Sequence, residues 1–289
     1  MWIATVTLET VNGKYPEKNS RKNTATNKDR MIALIRITTI LNSDSSEDGL
    51  IIFPGGWFHQ GRQSAESAFS FIEKKIKSEL QKFSSHIVIS LGIDGSIDNE
   101  GFDRDQIAIV IDKTGIIAIG RKYQVLTAEE RKKVILSPGY LQGDFGKPQI
   151  FSLNEIRFYP AICYDIYGPQ QRKLENPGID VIISHVHYFV PLNEEGPKGI
   201  VDFVRKGFVG CSAQWHCPVF GSGIFIRRSI PKCWHTGMNY RSHPKPYLKC
   251  KIEENILMPE MKFEDGQLIE GKLLVQKYNL GNTFSLINI

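Results

Sequence analysis

The sequence predicts an α/β sandwich, and three observations carry that prediction. Strand-length segments built largely of Ile, Val and Leu recur along the chain, the pattern of strands covered on both faces. Between them, apolar residues repeat at helical spacing. No internal repeat, low-complexity tract or Pro/Gly-rich linker breaks the middle of the chain, so residues 1–289 read as a single domain of layered strands and helices.

In chain order, strands are expected at 2–8 (WIATVTL), 50–53 (LIIF), 86–92 (HIVISLG), 106–112 (QIAIVID) and 115–122 (GIIAIGRK). Further strands follow at 157–163 (RFYPAIC), 180–186 (DVIISHV) and 217–226 (CPVFGSGIFI). Lys113, Thr114 and Gly115 form the turn of a hairpin between the fourth and fifth of these. Met31, Leu34, Ile35 and Leu41 mark one helix. Ala65, Ala68, Phe69, Ile72, Ile76 and Leu80 mark an amphipathic one over 64–83, and Ile200, Val201, Val204, Phe208 and Cys211 mark a third over 197–211. Thr127 to Glu130 fits a capping box that opens a further helix. Residues 250–289 are expected to form a less regular C-terminal arm.

Composition narrows the function classes. Thirty-six basic against 31 acidic residues leave a net charge of +5, a mild excess concentrated at Lys14, Lys18, Arg21, Lys22, Lys28 and Arg30. This stretch reads as a solvated loop, and nucleic acid is not the expected partner. No segment reaches the roughly 20 apolar residues of a membrane span, and the N-terminus reads as a strand. Five cysteines, none in a C-x-x-C pair, point to free thiols and a reducing, cytoplasmic setting.

The chemistry gathers at two strand ends. In "AICYDIYGP" an apolar strand ends at Cys163, and Tyr164, Asp165, Gly168 and Pro169 follow at a turn. A cysteine on such an elbow presents its sulfur, and a following helix start favours negative charge there. Taken alone it also fits a buried structural thiol. Lys122 closes the hairpin strand in "IGRKYQVL", where by itself it fits an exposed edge lysine.

The ordered set "IIFPGG", "IDKTGIIAIGRKYQVL" and "AICYDIYGP" resembles the nitrilase superfamily of carbon–nitrogen hydrolases, from about residue 2 to residue 228. The resemblance implies an α-β-β-α four-layer sandwich of two sheets with outer helices. It implies Cys163 as nucleophile, Lys122 with the Tyr164 backbone N–H as oxyanion holder, a small-molecule amide (less readily a nitrile) as substrate, no cofactor, and a homodimer or larger homo-oligomer. It departs at one position: Gly55 stands where the family carries its general-base Glu. Losing such a base costs about 10²–10⁴ in rate.

A histidine is therefore expected to serve, His185 ahead of His187, with His59 and Glu129 as further candidates. Gly55 and Trp57 are expected to wall an aromatic pocket with room where the carboxylate would stand, and Tyr164 and His187 to contact substrate. The competing reading is a lapsed member of the family that binds a ligand or protein in the old pocket. A zinc site among Cys211, His216, Cys217, Cys233, His235, His243 and Cys250 fits no paired-ligand spacing, and no metal is expected.

Overall fold

Alternation along the strands decides the architecture. A computed structural model of the chain describes residues 1–10, 23–43, 46–96, 104–125, 127–187, 203–226, 229–230, 234, 252–263 and 269–280. Strand β1 (Trp2–Thr10) is followed by helix α1 (Asn23–Asn42), β2 (Gly49–Ile52), a two-residue β3 (Phe58–His59) and α2 (Phe69–Leu80). Then come β4 (Ile87–Ser96), β5 (Arg104–Asp112), β6 (Gly115–Arg121) and a short α3 (Ala128–Arg131). Next are β7 (Phe151–Leu153), β8 (Ile156–Ile162), α4 (Gly168–Gln171), β9 (Val181–His185) and α5 (Val209–Trp215). β10 (Val219–Ser222), β11 (Ile224–Ile226), β12 (Ile252–Phe263) and β13 (Ile269–Asn279) close the order.

Among the described residues the larger sheet has nine strands, in the order β12-β13-β1-β2-β4-β5-β6, with β11 added beside β1 and β3 beside β4. The smaller sheet runs β10-β9-β8-β7. Strands β1, β2 and β4 are parallel, as are β8, β9 and β10. The β4-β5-β6 turns are antiparallel, so β6 again runs with β4 and ends at the same edge.

Period-two alternation sends Ile3, Leu50, Ile52, Val88, Val110 and Ala118 from the large sheet into one cluster with Phe158, Val181, Ile183 and Phe220 from the small one. The opposite face of the large sheet, with Ala4, Ile51, Phe53, Ile89 and Leu91, packs against Leu34 and Ile37 of α1 and Ile72 and Ile76 of α2. The opposite face of the small sheet, with Tyr159, Ala161 and Ile182, packs against Ile166, Phe208, Cys211 and Trp215. Three apolar clusters between four layers make the expected α-β-β-α sandwich.

Two expectations change. The 217–226 run is not one strand: it pairs with β9 through Ser222, then crosses at Gly223 to pair with β1 in the other sheet. The backbone N–H of Leu8 donates to Gly223 O across that crossing. The irregular arm expected over 250–289 is regular where described, because β13 runs antiparallel along β1 from Trp2↔Asn279 to Thr10↔Gly271 and β12 pairs with it. The third helix is described from Phe203, as a π-turn to Phe208 continuing into α5, and its expected start at 197 lies outside the described residues.

Candidate active site

The inter-sheet slab is apolar along most of its depth and polar at one edge. Counting by twos from Val88 places Ser90, Gly92 and Asp94 of β4 on the inward face, and counting from Ile183 places His185 and His187 there too. From Ala118 the same count reaches Lys122 just beyond β6, and from Val110 it reaches Gln106 of β5. All of these except Gly92 are buried polar side chains. The C-terminal ends of β2, β4, β6, β8 and β9 thus deliver their chemistry to one rim, the usual place for a site in such sheets.

Cys163 begins a turn of 3-10 helix directly after β8, half-buried, with a backbone φ of 50°. The left-handed region is costly for a side-chain-bearing residue, by about 1–3 kcal/mol, and strain of this kind concentrates at functional sites. Next to it, Tyr164 stacks on Tyr167 and meets Phe203 edge-on. The buried Asp165 carboxylate accepts the Tyr123 and Gln124 backbone N–H groups at 3.0 and 2.6 Å. Burial raises its pKa to about 7, against those hydrogen bonds and the nearby Lys122 charge. Asp165 therefore ties the chain after Lys122 to the chain after Cys163.

Lys122 is 2% exposed. Its Nζ donates to Gln106 Oε1 at 3.0 Å and lies 5.8 Å from the centroid of the Tyr164 ring. This is a buried cation beside the residue that follows Cys163, and not an exposed edge lysine.

The two strand-end histidines divide their roles. His185 is fully buried, with Nδ1 donating to Phe53 O at 2.7 Å and Nε2 accepting from Ser90 Oγ at 2.9 Å, the tautomer that these partners require. Both ring nitrogens of His185, the histidine expected first as base, are thus occupied in stapling β9 to the end of β2 and to β4. Burial lowers its pKa to about 4. Because the folded value lies below the unfolded 6.5, the neutral ring stabilises the fold above pH 6.5, and that contribution is lost as pH falls toward about 4. At roughly 1.4 kcal/mol per pH unit the full loss is about 3 kcal/mol. The stability gap between the wild type and His185→Gln is expected to narrow by about that much between pH 7 and pH 4 in urea titrations; a pH-independent gap would contradict the staple.

His187, just beyond β9, faces the reactive edge. Its Nε2 lies 2.7 Å from Asp94 Oδ1 as an ion pair, and the Cys163 sulfur acts on the charge of the same ring, whose Nδ1 is buried without a hydrogen-bond partner. Burial works against a charged ring here, but the Asp94 carboxylate and the Cys163 sulfur outweigh it and raise the His187 pKa to about 9. The ring also occupies the room expected at Gly55. A Cβ on Gly55 would sit 2.8 Å from His187 Nδ1 and 2.9 Å from His185 O. Gly92 makes the same close approach possible from the other side, since its Cβ would fall 2.4 Å from Gly55 Cα.

Trp57 is not a pocket wall. It is wholly buried, tilted against Phe53 with ring centroids 4.9 Å apart. The loop that carries it is pinned by Arg30, whose Nη1 donates to Gly56 O and Trp57 O at 2.7 and 2.6 Å, and by Asn27, which exchanges hydrogen bonds with the His59 backbone. Arg30, expected in a solvated basic loop, is instead 6% exposed. His59 Nδ1 accepts from Gly61 N at 3.0 Å, and burial lowers its pKa against the pull of Asp94.

The side chains of Glu129 and Glu130 lie outside the described residues, as do Cys233, His235, His243 and Cys250. Among the described residues no group of three or more His, Cys, Asp or Glu is set to hold a metal, and no helix is long and apolar enough to cross a membrane. Asp94, Ser90, Gln106 and Arg30 were missed from sequence. For Ser90, Asp94 and Gln106 the available signal was a polar residue at every second or fourth position of an otherwise apolar strand.

No protein-family model matches the chain, and no curated protein does. Solved structures do. The chain is similar to an amidase from Nesterenkonia sp., at 11% identity over 78% of this chain and 76% of that one, with a TM-score of 0.51. A mutant of Nesterenkonia AN1 amidase, described as from the nitrilase superfamily, matches at 10% identity over 78% and 77%, with a TM-score of 0.50. A cysteine-to-alanine mutant of the amidase from Nesterenkonia sp. AN1 in complex with butyramide matches at 13% identity over 78% and 76%, with a TM-score of 0.53. The chain carries the fold of these nitrilase-superfamily amidases.

Proposed function

We propose that this chain is a nitrilase-superfamily enzyme that hydrolyses a non-peptide carbon–nitrogen bond in a small amide through a thioester on Cys163. The observation that carries the reading is the half-buried Cys163, held in a left-handed conformation at the end of β8, next to the end of β9 that carries His187. A sulfur so placed is a nucleophile with a proton-carrying histidine beside it. The shared fold and the butyramide complex of the similar amidase support a small amide as substrate.

In this reading the Cys163 sulfur adds to the amide carbon. The developing oxyanion is met by the Lys122 ammonium and the Tyr164 backbone N–H, and the amine departs to leave the thioester. Water then releases the acid. The buried setting of Lys122 makes its charge count for more than it would in solvent. Assembly into a homodimer belongs to the same proposal.

The test is product formation. With butyramide as probe, the wild type is expected to release butyrate and ammonia, and Cys163→Ala to release neither above the uncatalysed rate. Equal turnover by the two proteins would overturn the reading.

A further inference from the structure

We propose that His187, held by Asp94, is the proton-transfer residue of this site, standing in the space that Gly55 leaves open. The proposal rests on the reading of Cys163 as nucleophile given above. Three independent observations converge on it. Nε2 of His187 is 2.7 Å from Asp94 Oδ1, which orients the ring and leaves Nδ1 buried without a hydrogen-bond partner. Ile162 pairs with His185 across β8 and β9, which sets Cys163 beside the chain that carries His187, and the sulfur acts on the charge of that ring. A side chain at position 55 would collide with Nδ1 at 2.8 Å, so the glycine and the histidine fit one another.

The arrangement is a nucleophile, a base and an orienting carboxylate brought from β8, β9 and β4, the general logic of a catalytic triad. Asp94 is a positioning residue, since it acts on the sulfur only through His187.

The protons then balance. Cys163 Sγ adds as the thiolate facing the His187 imidazolium, the S–C bond forms, and the carbonyl electron pair moves onto oxygen. The imidazolium proton passes to the amide nitrogen as the C–N bond breaks, releasing neutral amine and leaving a thioester with His187 neutral. In the second half His187 takes a proton from water while the hydroxide oxygen adds to the thioester carbon. The C–S bond breaks, which restores the thiolate beside the His187 imidazolium, and the acid leaves.

The titratable groups around His187 are Asp94 of β4, the Cys163 sulfur, His185 on its own strand and His59 of β3; Arg30 and Arg104 act on His59. Of these, Asp94 is the one that holds a proton on the ring, in keeping with the His187 pKa near 9. Loss of that proton removes the acid that the leaving nitrogen needs. Acylation should therefore fall as pH rises through about 9.

The test uses the full chain with iodoacetamide as probe, which needs no amide turnover. Alkylation of Cys163 at about pH 6.5, followed by peptide mapping, is expected to slow by roughly tenfold or more in His187→Gln. In Asp94→Asn the alkaline fall of butyramide acylation is expected to shift to lower pH, an effect that a merely structural carboxylate would not produce. A His187→Gln protein that alkylates at the wild-type rate would overturn the proposal, even if butyramide is hydrolysed. Failure of hydrolysis with a slowed His187→Gln alkylation would instead keep the triad and sink the amidase reading.

Should the variants not fold, histidine nitrogen NMR on the wild type decides. One imidazolium is expected to persist at about pH 8, and only neutral rings there would contradict the proposal.

Discussion

Replacing Gly55 with glutamate is expected to lower acylation of Cys163 by about 10²-fold or more, the scale of losing a positioned proton-transfer group. The backbone at this position is not the obstacle, since Gly55 is absent from the residues at positive φ, whereas Gly56 has φ 61°. Space is. The new Cβ would lie 2.8 Å from His187 Nδ1 and 3.0 Å from Cε1 of the same ring, and the carboxylate would extend beyond it. His187 must then leave the contact with Asp94, and both members of the proton relay are displaced. Gly55→Ala carries the same first collision with less bulk, so it is expected to fall between the wild type and Gly55→Glu. Single-turnover rates order the three proteins. A faster Gly55→Glu would mean that position 55 accepts a working carboxylate, and that His187 is not the base.

Lys122→Met is the second large effect. Methionine preserves much of the length of the buried lysine but removes the charge, so the oxyanion loses its principal electrostatic partner. Removing one such donor costs about 10²–10³ in rate. The fold should survive with a smaller penalty, because Gln106 Oε1 loses a donor at 3.0 Å while the apolar stem is replaced in kind. A thermal melt and a single-turnover rate separate the two effects: the melt is expected to shift modestly and the rate to collapse. An unchanged rate would remove Lys122 from the chemistry.

How much of this was legible in the sequence follows from which distances each feature needs. The strands around β2, β4, β5, β6, β8 and β9 announce themselves as Ile/Val runs, because both faces of each are covered and periodicity alone reports burial. The crossing at Gly223 does not announce itself. One continuous apolar run serves two sheets there, and nothing local distinguishes Phe220 on one side from Phe225 on the other. The C-terminal strand β13 was missed because Lys272, Lys277 and Gln276 interrupt its apolar pattern, although the register with β1 buries Leu273 and Val275.

At the site, Cys163 and Lys122 stood out because each is a reactive residue at a strand end. The choice between His185 and His187 could not be made from the same information. Both lie on the inward face two residues apart, and which one meets Ser90 and which meets Asp94 depends on how the two sheets are stacked. That offset also explains why Asp94 was overlooked. Its importance comes from a partner 93 positions away in the other sheet.

The mass of the intact chain during a single turnover tests most directly whether Cys163 carries the acyl group. Wild-type protein mixed with butyramide and quenched in acid is expected to gain the mass of one butyryl group, mapped to the peptide holding Cys163. The adduct should decay as butyrate appears. Butyrate released without any adduct, or an adduct on Cys211 or Cys217 instead, would contradict the account.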